Sequence, residues 1–330
     1  MRVDNQYIVF NEFGTPEDVL RVEQRPVTPP GQGEVLVRMI ARPINPSDLI
    51  PIRGAYSHRI SLPCIPGYEG VGIVEDVGMD VAPELIGKRV LPLRGEGTWQ
   101  QFVKASASWA VVIPDDVTDD QAAQLYINPV TAWLICRNIL SLRPGAVLVV
   151  NASGSALGRI LAQLCAFLGI RLIAVTRNDH HTKELLKLGA ESVINTGETP
   201  LKQAVMELTG GLGADAAVDM IGGSPGTELA CCVRTDGMFV TVGLLSDVPL
   251  DWAEIRRSTN ASATMFHLRQ WNQTVSAQVW QDTFRELISL IQAKKLALQP
   301  PGPRFELQKA SAAVRAAEAS GRNLGKYFLM

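Results

Sequence analysis

VLVVNASGSALGRILAQLCAFLGIRLIAVTRND, residues 147–179, decides the fold class. Val147–Val150 is short and wholly apolar, as a strand buried on both faces should be. The stretch ALGRILAQLCAFLG that follows carries apolar residues at helical spacing, and RLIAVT reads as a second strand. Strand, turn, helix, strand is the unit from which doubly wound parallel sheets are built. The turn itself departs from the usual G-x-G-x-x-G, keeping only Gly154 and Gly158 among serines and an asparagine.

Downstream the alternation continues through SVIN, AAVDMI, MFVTVG and ASATMF, with the helical stretch DHHTKELLKLGA among them. A long amphipathic helix follows in SAQVWQDTFRELISLIQAKK, and the tail FELQKASAAVRAAEASGRNLGKYFLM reads as strand, helix, strand. Upstream the texture is different. Between Glu34 and Pro114, short runs such as EVLVRMI, GVGIVEDVG and KRVLPL are separated by Gly and Pro, which predicts a compact antiparallel β unit. The expected class is α/β: a β-rich domain beside a doubly wound parallel-sheet domain. The expected segments are 1–126, then 127–268 for the parallel sheet, then 269–330 returning to the first domain.

The chain has 330 residues, enough for two domains, and 46% hydrophobic against 19% charged residues predicts a large core. A net charge of −2 without a basic run gives no support to a nucleic-acid or anionic-membrane partner. Asp4, Asn5, Gln6 and Glu12 fall where a leader's apolar core would lie, and no run of about 18 apolar residues offers a membrane span. Cys64, Cys136, Cys165, Cys231 and Cys232 form no C-x-x-C and are odd in number, which reads as reduced thiols in a cytoplasmic chain.

At the turn, Ser153, Gly154, Ser155 and Ala156 are small enough for a phosphate to approach the helix N-terminus, where free N–H groups and the helix dipole favour an anion. Both serine hydroxyls are expected to donate further bonds. Gly158 sits where the helix would pack close to the first strand. The second strand ends at Thr176 and is followed by Arg177, where an NAD site would place an acid on the ribose 2′-hydroxyl. An arginine there suits a 2′-phosphate and predicts NADPH, with Asp179 nearby.

Seven stretches carry a family resemblance: RPINPSDLIPIRGAY (42–56), PGYEGVGIVEDVG (66–78), GTWQ (97–100), INPVTAW (127–133), NASGSALG (151–158), FHLRQW (266–271) and the final GKYFLM. Over nearly its whole length the chain resembles the zinc-independent medium-chain dehydrogenase/reductase superfamily. Within it, the chain is similar to NADPH-dependent 2-enoyl thioester (trans-2-enoyl-CoA/ACP) reductases and to NADPH:quinone oxidoreductases. That group's turn resembles N-A-S-N-S-x-V-G, from which Gly154 and Leu157 depart; Tyr68 likewise stands where the group has an asparagine in G-N-E-G. The superfamily's zinc enzymes place a cysteine near Asn45 and a histidine at the position of Tyr68, and they carry a four-cysteine lobe. None of these is present, so no metal is expected and zinc-assisted alcohol oxidation is set aside.

The resemblance implies a GroES-like catalytic domain plus a Rossmann domain, and it implies site roles. Reducing an activated C=C needs hydride at the β-carbon and a proton at the α-carbon, and a neutral tyrosine suits the proton step. Tyr56, in RGAY, matches the family's donor, with Tyr68 its rival. Expected cofactor contacts are Asn128, Ser153, Gly154, Ser155, Ala156, Leu157, Thr176, Arg177, Asn178, Val242, Gly243, Leu244, Phe266, His267, Leu268 and Lys326. Asn45, Trp99 and Trp271 are expected in the acyl pocket, and Arg53, Arg59, Arg94 and Arg269 are possible contacts for a carrier's phosphate. Three functions compete: an enoyl-thioester reductase acting on acyl-CoA or on an acyl carrier protein, a quinone or enone oxidoreductase, and an NADPH-binding sensor without turnover. Superfamily members of this kind are commonly dimers, and ASATMF is the strand expected to supply a dimer edge.

Overall fold

The computed structural model describes residues 4–319 and 324–330; the parts of the expected 1–126 and 269–330 segments that fall on 1–3 and 320–323 lie outside the described residues. The chain forms two compact units. One comprises the residues up to Ile127 together with Ser276–Gln292 and Leu298–Met330; the other comprises Asn128–Val275 and Ala293–Ala297. The crossing at 275/276 comes later than the expected 268/269, because helix Leu268–Thr274 directly follows the second unit's last strand and stays with it.

In the first unit, β1 (Asp4–Phe10) and β2 (Leu20–Pro26) form a two-stranded sheet. A larger sheet contains β3 (Glu34–Pro43), β4 (Val71–Val77), β5 (Arg89–Leu91), β6 (Phe102–Ser106) and β7 (Val111–Val112). The second unit is built on β8 (Val147–Val150), β9 (Arg171–Thr176), β10 (Ser192–Asn195), β11 (Ala214–Asp219), β12 (Val233–Thr241) and β13 (Ser262–Met265). The chain then returns with β14 (Pro301–Phe305) and β15 (Lys326–Leu329), so that the first unit's larger sheet runs β14-β15-β3-β4-β5-β7 with β6 on β3. Most of its pairs are antiparallel, as expected. The β14/β15 pair is the exception and is parallel, because helix Ala310–Ala319 makes a crossover between them.

The second unit's strands pair in the order β10-β9-β8-β11-β12-β13, all parallel. Numbered within the unit, this is 3-2-1-4-5-6, the doubly wound dinucleotide-binding order, which reverses direction between β8 and β11. Val147, Val149, Ile173, Val175, Ala217 and Phe239 are buried together on the sheet. Helix Ala156–Leu168 starts at Ser155, whose hydroxyl accepts from Gly158 N (3.2 Å), and ends at Gly169, whose φ of 70° is the left-handed cap that glycine adopts without strain. It buries Ile160, Leu161, Leu164 and Cys165, each large aliphatic side chain contributing roughly 1.5–3 kcal/mol.

Gly158 is required by contact rather than by dihedral angle. A Cβ there would lie 2.5 Å from both Cα and O of Ser153, backbone atoms that cannot yield without moving the turn. Gly158→Ala is therefore expected to destabilise the protein by about 1–3 kcal/mol in urea unfolding. It should also weaken dinucleotide binding, which fluorescence titration would read. A neutral substitution would mean that the turn is plastic.

Candidate active site and dinucleotide turn

The first unit holds a buried charge cluster. Asn45 precedes helix Pro46–Ile52, and Asp48, in its first turn, accepts from Asn45 N at 2.8 Å through Oδ2 and from Tyr68 N at 3.0 Å through Oδ1. Asn45 Nδ2 donates to Glu69 Oε1 (2.7 Å), and Lys326 Nζ, at the start of β15, donates to Asn45 Oδ1. Glu69 Oε2 accepts from the N–H groups of Tyr126 and Ile127 at 3.1 and 2.8 Å, so a carboxylate sits at the entry of helix Ile127–Leu134, which bears Asn128. All four side-chain groups are buried. Burial raises the Asp48 carboxyl to about 7, with the Glu69 charge adding and Lys326 opposing. Burial likewise raises Glu69 and lowers Lys326, while each carboxylate holds the ammonium's proton more firmly.

Tyr56 ends the loop after that helix and is half-buried. The Arg59 guanidinium lies 3.6 Å from its ring centroid. Tyr68 is half-exposed, and burial of its phenol together with the Asp48 charge pushes it up to about 12, so it stays protonated. Trp99, expected in the acyl pocket, is fully buried in the core with Ile8, Phe10 and Leu49, against Gly67, where a Cβ would come within 2.3 Å of its ring. Asn45 is also buried, serving the charge cluster, and Lys326, expected at the cofactor, spends its ammonium there too. Of the arginines proposed for a carrier phosphate, Arg53 pairs with Glu318 (2.5 Å) and Arg94 stacks on Trp109 at 3.7 Å.

In the second unit, the carboxyl edge of the sheet gathers residues 151–158, 176–178, 242–244 and 266–268. Backbone bonds from Asn151 N to Val218 O, Ser153 N to Val175 O, Val242 N to Asp219 O and Phe266 N to Thr241 O lock these strand ends in line. At the switch point, Asn151 Nδ2 donates to Asp219 Oδ1 (2.6 Å) and its Oδ1 accepts from Met220 N (2.7 Å). Asp219 also accepts from Ile221 N, Gly222 N and Thr241 Oγ1. The sequence reading missed this pair; the signal was an aspartate ending the apolar run AAVD.

The hydroxyls of the two turn serines have partners within the protein, that of Ser155 donating to Met220 Sδ at 3.7 Å. Ser153 is buried; its hydroxyl donates to Val150 O (2.7 Å) and accepts from Val175 N (3.2 Å), clasping β8 to β9 and leaving nothing for a phosphate. Ser155 caps the helix. Ala156 and Leu157 have no earlier helical carbonyl to meet, so their N–H groups are the ones open to an anion. Thr176 is buried, while Arg177 and Asn178 are exposed just beyond β9. Asn178 accepts from His180 N, and Asp179 is occupied by Thr182 and Asn195 at 3.2 and 3.1 Å, whereas among the described residues the Arg177 guanidinium has no ion-pair partner. A side chain at Gly154 would collide with His181, whose Cδ2 would lie 2.2 Å from the added Cβ, which explains the departure from the family's asparagine. His267 caps helix Leu268–Thr274 by accepting from Arg269 N at 3.1 Å; Phe266, Leu268 and Trp271 lie partly exposed around it, and Val242, Gly243 and Leu244 follow β12. These features suit a dinucleotide: open N–H groups at a 13-residue helix, a cradle that Cβ atoms would fill, and an arginine past the second strand. Among the described residues, no three His, Cys, Asp or Glu side chains are grouped to hold a metal ion, and no helix is long and apolar enough to cross a membrane.

Comparison with known proteins agrees with this architecture. Residues 31–115 match the alcohol dehydrogenase GroES-like domain family, and residues 156–293 match the zinc-binding dehydrogenase family. The mitochondrial enoyl-[acyl-carrier-protein] reductase of Xenopus tropicalis is 32% identical over 319 residues, covering 93% of this chain and 90% of that protein. A Bacillus thuringiensis structure that carries the name of an NADPH:quinone reductase is 55% identical, with a TM-score of 0.98 and 99% of each chain covered. A mycobacterial protein solved in complex with NADPH is 26% identical, with a TM-score of 0.87 and 99% of each chain covered.

Proposed function

Because the chain belongs to the medium-chain dehydrogenase/reductase superfamily, we propose that it reduces the C=C of a 2-enoyl thioester, acyl-CoA or acyl-carrier-bound, with NADPH. Bound NADPH supplies hydride to the β-carbon. The chain's own residues do the rest. Ala156 and Leu157 N–H groups hold the pyrophosphate, and Arg177 meets the 2′-phosphate. Tyr56 donates its hydroxyl proton to the α-carbon and recovers one from water. The Arg59 guanidinium, 3.6 Å from the ring centroid, stacks on the ring and holds it in place. That stacked phenol is the observation that carries the thioester reading, because an enolate carbon needs a positioned proton donor whereas a reduced quinone oxygen takes its proton from water.

A second reading, quinone reduction, is favoured by the name of the Bacillus thuringiensis relative. NADPH oxidation with crotonyl-CoA, set beside 9,10-phenanthrenequinone, decides between them. Crotonyl-CoA turnover supports the thioester reading; quinone turnover alone overturns it, and binding without either turnover would leave a sensor.

We also propose a homodimer through β13, whose four residues are all exposed at the sheet edge, with Leu244, Val248 and Trp252 exposed in the same unit. Sedimentation should show a dimer that Thr264→Lys converts largely to monomer; a dimer that survives the change places the interface elsewhere. Five unpaired cysteines fit the cytoplasm as location.

A further inference from the structure

His181, in the short loop after β9, lies on the dinucleotide turn: a Cβ at Gly154 would sit 2.2 Å from its Cδ2 and 2.9 Å from its Nε2. Its other nitrogen, Nδ1, is 3.3 Å from Arg159 Nη2, on the helix that leaves the turn. A guanidinium has donors and no acceptor, so this contact is a hydrogen bond only when Nδ1 carries its lone pair. The neutral imidazole is then the Nε2–H tautomer, with its donor on the Gly154 side. Arg159 is held in turn by Glu184, at 2.7 Å, and its Nε is buried without a hydrogen-bond partner among the described residues.

We propose that His181 is a phosphate ligand of the dinucleotide site, with Arg159 the positioning residue that selects its tautomer. This rests on the dinucleotide-binding reading above. The phosphate is either the pyrophosphate or the 2′-phosphate, both of which present anionic oxygens to an N–H donor. The cluster also accommodates a protonated ring. Nδ1 is 3.6 Å from Glu184 Oε2, so a proton placed on Nδ1 turns toward that carboxylate when the Arg159 bond is given up. The groups facing His181 are Arg159 from the helix Ala156–Leu168, Glu184 from the helix Thr182–Lys187 and the adjacent His180; Asp179 and Arg177 share its loop. Burial and the Arg159 charge lower the His181 pKa in the free protein, so an arriving phosphate draws a proton onto the ring. Phosphate binding is thereby linked to proton uptake, and affinity rises as pH falls from 8 to 6.

Fluorescence titrations of the whole chain with NADPH and with NADH, at pH 6 and pH 8, test this on His181→Ala and His181→Gln. His181→Ala should weaken binding about ten-fold, the effect of one hydrogen bond to a charged group. His181→Gln, which keeps a neutral donor, should bind within a few-fold of the native chain at pH 8 and lose the extra tightening at pH 6. A loss confined to NADPH assigns the 2′-phosphate; an equal loss with NADH assigns the pyrophosphate. Native-like binding by His181→Ala, or an undiminished pH response in His181→Gln, overturns the assignment while leaving the reductase reading standing. A native chain that binds neither dinucleotide overturns both.

Discussion

Tyr56→Phe should lower kcat for crotonyl-CoA by about 10²–10⁴-fold, the usual contribution of a positioned general acid, while NADPH affinity stays within two-fold or so of the native value. The substitution keeps the ring that Arg59 covers at 3.6 Å and removes only the hydroxyl. A deficit in kcat without one in binding would locate the loss in the proton step. If quinone reduction proceeds equally in both proteins while thioester reduction collapses, the phenol serves carbon protonation specifically. Should the variant reduce crotonyl-CoA at the native rate, Tyr56 is not the donor. Tyr68, whose proton is held by burial and by the Asp48 charge, then becomes the residue to replace.

Lys326→Met should be the most destabilising of the substitutions considered, and its cost should depend on pH. Methionine preserves most of the buried stem but leaves Asn45 Oδ1 without its donor and two buried carboxylates without their cation. Breaking a buried ion cluster in this way costs about 3–5 kcal/mol. The sign of the pH dependence follows from Asp48. Its carboxyl is raised to about 7 in the fold, above the roughly 3.9 of an unfolded aspartate. The folded chain therefore keeps a proton that the unfolded chain has released. The stability linked to that proton is full below about pH 4 and declines as pH rises through about 7. Without Lys326 the two carboxyls repel each other unopposed and are pushed higher still. Urea midpoints of native and variant chains should lie close together at pH 5 and furthest apart at pH 8. A loss of equal size at both pH values would mean that packing, rather than charge, is what Lys326 contributes.

Much of this was legible in the sequence because it depends on local pattern. VLVV, RLIAVT, SVIN and AAVD are apolar runs that only a sheet covered on both faces can bury, and the helical stretches between them force right-handed crossovers and parallel pairing. The glycine at 158 could be assigned to close packing because a turn that meets a helix admits no side chain there. The long helix Ala277–Gln292 and the strand-helix-strand tail followed from periodicity in the same way. The return of that tail to the first unit followed from nothing local, but from β15 finding β3, some 280 residues earlier in the chain.

The site divides along the same line. Residue type and order marked the turn and Arg177 after the second strand as places for an anion and a phosphate, and the family resemblance marked the tyrosine after RGA as a place for a proton. What each hydroxyl and amine does there was decided by neighbours distant in sequence. Ser153 is consumed by Val175, Lys326 by Asn45, and Trp99 by the core, while His181, unmarked by any pattern, rests on Gly154. The division has a physical reason. Backbone preference and hydrophobic period act between residues a few positions apart, so the sequence determined the elements and their order. Hydrogen bonds and ion pairs act over about 3 Å between whatever the fold brings together, so the partners of each polar group, and with them its charge and its use, were decided only by the tertiary structure.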